Sequence, residues 1–250
     1  SVTDRCDLRC VYCMSEHMRF LPKAEVLTLE ELDRIASAFV GLGVRKLRLT
    51  GGEPLLRREL PTLVQWLAAV AGIDDLALTT NGVLLPRSAA ALRAAGLKRL
   101  TVSLDSLDPA VFRRLSGGRG EVAEVLAGIA AAEAAGFARL KLNCVVLRGV
   151  NDDGVLDLVQ RFRGTGHILR FIEYMDVGTL NHWQRGSVVP SADLVARIHA
   201  RWPLQALDRN YRGEVAERYA FDDGGGELGF ISSVSAPFCG DCSRARISAR

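Results

Sequence analysis

Cys6, Cys10 and Cys13, near the start of the 250-residue chain, are the side chains whose type and spacing could do chemistry, in the pattern Cys-x3-Cys-x2-Cys. Thiolates are soft ligands that suit iron–sulfur clusters and zinc. Three of them can hold three irons of a cubane and leave the fourth open. An open iron can chelate a small molecule, which a cubane with four protein ligands cannot do. The alternative is a zinc site with a distant fourth ligand, although zinc favours a Cys-x2-Cys pair completed by a second pair. The stretch Gly51-Gly52-Glu53-Pro54 is the second candidate. Its glycines let a ligand approach the backbone, Glu53 could accept from an ammonium group, and Pro54 ends strand pairing. Tyr12 would hold an aromatic ring beside the cysteines, where it could pack on an adenine.

Composition narrows the classes. The chain is 48% hydrophobic and 24% charged, with a net charge of +3, too balanced for nucleic-acid binding by bulk field. No apolar run approaches the ~18 residues of a membrane span, so no membrane association is expected. The first residues carry neither the basic nor the apolar region of a signal peptide. Six cysteines without an export signal argue against a disulfide framework and for metal or redox chemistry in a reducing, cytoplasmic compartment. The chain begins without Met, in what reads as the middle of a strand, and is expected to be a piece of a longer protein.

The elements that must position these groups alternate short β-like runs with amphipathic helical runs, the signature of a parallel sheet. Strands are expected at Lys46–Thr50, Leu76–Thr80, Arg99–Leu104, Leu140–Val146 and Ile168–Ile172, with a stub at Ser1–Thr3. Helices are expected after Thr28, where Thr28 and Glu31 form a capping box, and at Leu60–Val70, Ser88–Ala95, Val122–Ala135 and Asp153–Phe162. Six such units suit a partial (β/α)6 TIM-like barrel over residues 1–176, with a doubly wound sheet as the alternative. Residues 177–250 read as a small C-terminal extension: a long loop over Val177–Pro190, a helix at Ser191–Arg201, and strands at Leu204–Leu207, Arg218–Phe221 and Leu228–Ile231.

Alternation within the strands is informative, because residues two apart share a sheet face. Lys46, Arg48 and Thr50 share one face and Leu47 and Leu49 the other. Thr101, Ser103 and Asp105 oppose Leu100, Val102 and Leu104, while Lys141 and Asn143 oppose Leu140, Leu142 and Cys144. Strands covered on both faces by apolar packing would read as continuous apolar runs. The polar face is therefore expected to line a lumen that takes a polar, anionic ligand. Cys144, on the apolar face, is expected in the core. His17, His167, His182 and His199 share no ligand spacing and are expected to be structural or solvated.

Ser1-Val2-Thr3-Asp4-Arg5-Cys6 through Cys13-Met14, Arg48 through Leu55, Thr79-Thr80-Asn81-Gly82, Ser103-Leu104-Asp105, Phe171 through Met175 and Phe238 through Arg246 closely resemble the GTP 3′,8-cyclase family of molybdenum cofactor biosynthesis. The triplet and the Gly-Gly-Glu-Pro loop alone resemble the wider radical S-adenosylmethionine superfamily. The resemblance implies two 4Fe–4S clusters, one on Cys6, Cys10 and Cys13 and a second on Cys239 and Cys242. It implies that Tyr12, Gly52, Ser103 and Met175 contact S-adenosylmethionine, with Glu53 in the same loop. It also implies that Lys46, Arg48, Thr79, Lys141, Arg170, Arg244, Ala245 and Arg246 contact GTP. Met175 does not share alternation parity with Arg170, so the last strand is expected to end or bulge between them.

The implied chemistry is reductive cleavage of S-adenosylmethionine to a 5′-deoxyadenosyl radical, hydrogen abstraction from C3′ of GTP, and attack of the ribose radical on C8 of guanine. No catalytic side chain is implied, since the radical is generated on the cofactor. The implied partners are GTP, a low-potential electron donor of the flavodoxin or ferredoxin type, the next enzyme of the pathway, and a second copy in a homodimer. The family has an Arg upstream of Ser1, a third cysteine after Cys242 and a terminal Gly-Gly, so the chain is expected to be cropped at both ends. Two other readings remain at this stage. A peptide-modifying radical enzyme with an auxiliary cluster would not need this set of cations. A non-catalytic iron–sulfur electron carrier would need four protein ligands per cubane.

Overall fold

The computed structural model describes residues 1–15, 17–177 and 183–250. Strands β1 (Lys46–Leu49), β2 (Asp75–Thr80), β3 (Arg99–Ser103), β4 (Lys141–Val146) and β5 (Ile168–Glu173) alternate with helices α1 (Leu29–Gly41), α2 (Leu60–Ala69), α3 (Leu85–Ala94), α4 (Pro109–Leu115), α5 (Val122–Ala134) and α6 (Val155–Phe162). Helix α7 (Ser191–His199) then leads into β6 (Leu204–Leu207), β7 (Glu217–Phe221) and β8 (Glu227–Ile231). The capping box of α1 is formed: the Thr28 hydroxyl accepts from the Glu31 amide, and the Glu31 carboxylate accepts from the Thr28 amide. Two helices differ from the sequence reading. Helix α3 starts at Leu85, because Pro86 is at home in a first turn where no amide partner is needed. Helix α4, absent from that reading, is started by Asp108, whose carboxylate accepts from the amides of Ala110 and Val111.

All eight strands form one sheet in the order β1-β2-β3-β4-β5-β8-β7-β6. Pairing is parallel from β1 through β5 and on to β8, then antiparallel through β7 and β6. The C-terminal strands thus continue the barrel sheet through the β5–β8 ladder. Ser1–Thr3 is not a strand. Its backbone nevertheless lies beside the end of β1, with the Val2 amide bonded to the Thr50 carbonyl and the Gly52 amide to the Thr3 carbonyl. That is too short a stretch to build a ladder.

The expected two-faced strands are present. In β4, Leu142, Cys144 and Val146 are fully buried, while Lys141, Asn143 and Val145 are partly exposed. The apolar face packs on the helices through Leu63, Leu67, Leu85, Leu92, Val125 and Leu158. Each such side chain contributes about 1.5–3 kcal/mol by leaving water. The opposite face curls round on itself. Lys46 Nζ, on β1 at one end of the strand order, lies 4.0 Å from the ring centroid of Tyr211, on the loop joining β6 and β7 at the other. This is the partial TIM-like barrel that the alternation predicts.

Candidate active site

The cysteine loop is built on backbone contacts at the carboxyl ends of the strands. The Glu53 amide bonds to the Arg5 carbonyl at 2.7 Å, the Arg9 amide to Ser116 at 3.0 Å, and the Val11 amide to Leu115 at 2.9 Å. Any Cβ at position 52 would sit 2.3 Å from the Arg5 carbonyl oxygen, so the loop needs glycine there simply to pack. Cys6, Cys10 and Cys13 are free thiols. Burial, with Asp7 and Glu53 nearby, pushes Cys6 up to about 11. A hydrogen bond joins Cys10 and Cys13, raising the first and lowering the second. Three unoxidised thiols gathered in one loop fit an iron–sulfur cluster, whose positive charge would offset the burial that keeps Cys6 protonated. Among the described residues, no three His, Cys, Asp or Glu side chains form the cage of a single ion. A cubane differs from such a cage in giving each thiolate its own iron.

Around this loop the polar groups satisfy one another. The Glu53 carboxylate, read from the sequence as an acceptor for a ligand's ammonium, accepts from the Leu55 amide, the Thr80 hydroxyl and the Asn81 amide. It braces the loop, and burial raises it to about 7. Asn81 in turn donates to Asp7 at 2.7 Å. Tyr12 donates to Asp105 at 2.6 Å. Ser103 lines a small cavity with Cys10, Tyr12 and Asp105. Met175 lies past the end of β5 and is exposed. The strand stops at Glu173, whose carboxylate accepts from the amides of Ser191, Val234 and Ser235 and from the Ser235 hydroxyl. The parity mismatch between Arg170 and Met175 is resolved by that ending.

The amino half of the lumen is cationic. A cavity of about 440 Å³ is lined by Arg48 and Lys141 together with Arg99, Thr101, Arg139 and Arg218. Arg48 donates to the hydroxyls of Thr79 and Thr101, both at 3.0 Å. Arg170 donates to Asn143 at 3.0 Å, and Lys46 lies over Tyr211. Among the described residues, none of Lys46, Arg48, Lys141 and Arg170 forms a salt bridge. Burial, then repulsion from Arg170, Arg99 and Arg48, pushes Lys141 down to about 8. Burial, then repulsion from Arg48, lowers Arg170 too. Thr101, Asn143 and Tyr211 belong to this site although no role was assigned to them from sequence. Thr101 and Asn143 carried a usable signal, their place on the polar strand faces.

Cys239 and Cys242 bracket a short turn, and both are exposed. Arg244 Nε donates to Cys242 Sγ at 3.3 Å, which with the Arg244 backbone amide lowers that thiol, and its guanidinium lies over Phe238. Ala245 and Arg246 are exposed. These contacts of Arg244 stay within its own turn, to Cys242 and Phe238. Cys144 is fully buried, as expected. His167 pairs with Glu133 at 3.1 Å, His199 accepts from the Leu204 amide, and His17 is exposed; His182 lies outside the described residues.

The comparisons agree with this architecture. Residues 1–162 match the family model described as the Radical SAM superfamily, and residues 167–250 match Molybdenum Cofactor Synthesis C. The GTP 3′,8-cyclase of Xanthomonas axonopodis pv. citri (strain 306) is 63% identical over 253 residues, covering 100% of this chain and 76% of that protein. The GTP 3′,8-cyclase of Acidothermus cellulolyticus (strain ATCC 43068 / DSM 8971 / 11B) is 56% identical over 254 residues, covering 100% of this chain and 70% of that protein. Among solved structures, Streptococcus suis SuiB bound to S-adenosylmethionine shares the fold with a TM-score of 0.65 at 19% identity, over 80% of this chain and 44% of that one. Methylornithine synthase (PylB) does so with a TM-score of 0.61 at 18% identity, over 79% of this chain and 59% of that one. With its thiol triplet, its partial barrel and its likeness to these cyclases along the whole of this chain, the chain belongs to the GTP 3′,8-cyclase family of the radical S-adenosylmethionine superfamily.

Proposed function

We propose that this protein converts GTP to 3′,8-cyclo-7,8-dihydroguanosine 5′-triphosphate, the first step of molybdenum cofactor biosynthesis. The observation that carries the reading is the pairing, in one barrel, of a three-thiol loop at the carboxyl end with a polar strand face whose Lys46, Arg48, Lys141 and Arg170 form no salt bridge among the described residues. Cys6, Cys10 and Cys13 would hold the first 4Fe–4S cluster and Cys239 and Cys242 would contribute to the second. When bound, the first cluster and S-adenosylmethionine supply the carbon radical that removes hydrogen from the ribose.

The chain's own residues position, neutralise and exclude water. Tyr12, Gly52, Glu53, Ser103 and Met175 form the S-adenosylmethionine side of the site. Glu53 acts there by holding the Gly51–Pro54 loop against Thr80 and Asn81. Lys46, Arg48, Lys141 and Arg170 hold the triphosphate, with Thr79 and Thr101 keeping the Arg48 guanidinium in the lumen. Lys141 and Arg170 are partly buried, where cations without bonded counter-charges are costly. A triphosphate relieves that cost and matches the forked geometry of arginine. Arg244, Ala245 and Arg246 would complete the GTP site, beside the second cluster that Cys239 and Cys242 would help hold.

Residues 1–176 form the catalytic barrel and residues 177–250 the extension that carries the second cluster site. A low-potential flavodoxin or ferredoxin type donor in the cytoplasm supplies the electron, and the triphosphate product passes to the next enzyme of the pathway. The protein can also pair with a second copy of itself. The described helices include none long and apolar enough to cross a membrane. The test is anaerobic reconstitution with iron and sulfide. Dithionite-driven formation of 5′-deoxyadenosine, stimulated by GTP, is expected. Formation that ignores GTP would favour the peptide-modifying reading, and none at all would favour the electron carrier.

A further inference from the structure

Asp105 has no part in the function so far, yet it stands at the centre of the buried polar network nearest the cysteines. It lies just past the end of β3 and is only 6% exposed. One carboxylate oxygen accepts from the Val145 amide at 2.9 Å and the other from the Tyr12 hydroxyl at 2.6 Å. Its backbone carbonyl accepts from the Asn151 amide group at 2.8 Å, and the same group donates to the Val145 carbonyl at 2.9 Å. The Leu147 amide closes the network on the Asn151 carbonyl oxygen at 2.8 Å. A bare core would be served as well by apolar side chains, since a buried carboxylate is no source of stability by itself. What this carboxylate achieves is angular. Its first oxygen is fixed by the β4 backbone, so its second oxygen can fix the ring of Tyr12. Tyr12 sits between Cys10 and Cys13, and the ring, Cys10, Ser103 and Asp105 line one small cavity.

We propose that Asp105 is a positioning residue for S-adenosylmethionine, acting through Tyr12: it locks the tyrosine ring, and with it the Cys10–Cys13 turn, to the ends of β3 and β4. The inference rests on the reading of the Cys6–Cys13 loop as the S-adenosylmethionine site. A ring held from its far end by a carboxylate, itself held by a strand, is a supporting layer of the kind that keeps a binding geometry within a fraction of an ångström.

The test uses cluster-loaded protein carrying Tyr12→Phe, Asp105→Ala, Asp105→Asn, or Tyr12→Phe with Asp105→Ala. Loss of one charged hydrogen bond should weaken S-adenosylmethionine binding roughly ten-fold in Tyr12→Phe and Asp105→Ala. Both should also alter the change that S-adenosylmethionine causes in the electron paramagnetic resonance spectrum of the reduced cluster, with GTP affinity left as in the parent. Asp105→Asn, whose amide can donate to the tyrosine oxygen, should recover part of the loss. The double variant should be no weaker than Asp105→Ala, because both changes remove one interaction. In cluster-free protein, Cys10 and Cys13 should be alkylated faster in both single variants. If Asp105→Ala fails to fold, Tyr12→Phe, which keeps the ring and its packing, decides alone. Parent-like affinity and spectrum in Tyr12→Phe would overturn the proposal, as would independent, additive losses in the double variant. A parent that binds no S-adenosylmethionine would instead overturn the reading of the cysteine loop itself.

Discussion

The two ends of the barrel lumen handle charge in opposite ways. At the carboxyl end, Glu53, Asp105, Asp7 and Glu173 are each met by protein donors, several of them backbone amides. At the amino end, Arg48 is met by hydroxyls, Arg170 by an amide oxygen and Lys46 by an aromatic ring, none of which cancels a charge. Bonded in this way, the acids hold the loops that carry the thiols and glycines. The cations carry no bonded acid among the described residues. Asp75 could have neutralised Arg48, but it is held by the bidentate pair it makes with Arg99. The difference teaches where the protein has finished its own electrostatics and where it leaves them to a substrate.

That contrast can be broken most sharply at the thiols. Cys10→Ala should abolish 5′-deoxyadenosine formation and remove most of the iron bound at the first site, read by product chromatography and iron analysis on anaerobically reconstituted protein. Parent-rate cleavage in this variant would remove the thiol loop from the chemistry altogether. At the other end, Arg48→Ala should weaken GTP binding by roughly ten- to a hundred-fold, the value of a charge-assisted hydrogen bond or two. Guanosine binding and S-adenosylmethionine binding should hardly move. Equal affinity of the parent for guanosine and GTP, by titration calorimetry, would dissolve the contrast by showing that the cations do not await a triphosphate.

A smaller effect sharpens the comparison through pH. Lys141 titrates at about 8 in the free protein because burial and neighbouring cations disfavour its charged form. A bound triphosphate favours that form, so the bound value lies higher. Affinity for GTP is therefore greatest below about 8, where Lys141 is charged in both states, and falls as pH rises through that value toward the bound one. Binding between the two values should take up protons, visible as a dependence of the calorimetric enthalpy on the buffer's ionisation enthalpy. A GTP affinity flat from neutral pH to pH 9 would contradict this account. The smallest effect is expected outside both ends. Cys144→Ala should leave iron content and turnover unchanged and cost about 1–2 kcal/mol in denaturant unfolding. Loss of a cluster would mean that the face assigned to Cys144 is wrong.

Much of the fold was legible because its signals are local. The period of two in Lys46–Thr50 and Leu140–Val146 separates a lumen face from a helix face whatever the partners are, and Thr28 with Glu31 announces a helix start within one turn. Helix α4 was missed because seven residues, Pro109–Leu115, are too few to show a period. The site was legible where chemistry is carried by residue type, as in Cys6, Cys10 and Cys13, and by parity, as in Arg48 and Lys141. At Glu53 the type suggested a ligand's partner, and the structure adds three protein donors on the same carboxylate that the sequence did not announce. The sequence was silent on Tyr211, whose role depends on a loop that returns across the lumen.

By itself, then, the order of residues determined which side chains share a strand face, where the first helix begins, and that three thiols lie close enough along the chain to bind one cluster. Only the tertiary structure decided that β8 would join β5 and let the last strands extend the barrel sheet, that Lys46 would meet Tyr211, and that Asp105 would hold Tyr12 from 93 residues away. The reason is physical. Local pattern encodes the backbone's own hydrogen bonding and the side to which each side chain turns. A contact between distant segments depends on the curl and register of the whole sheet, which no single segment specifies.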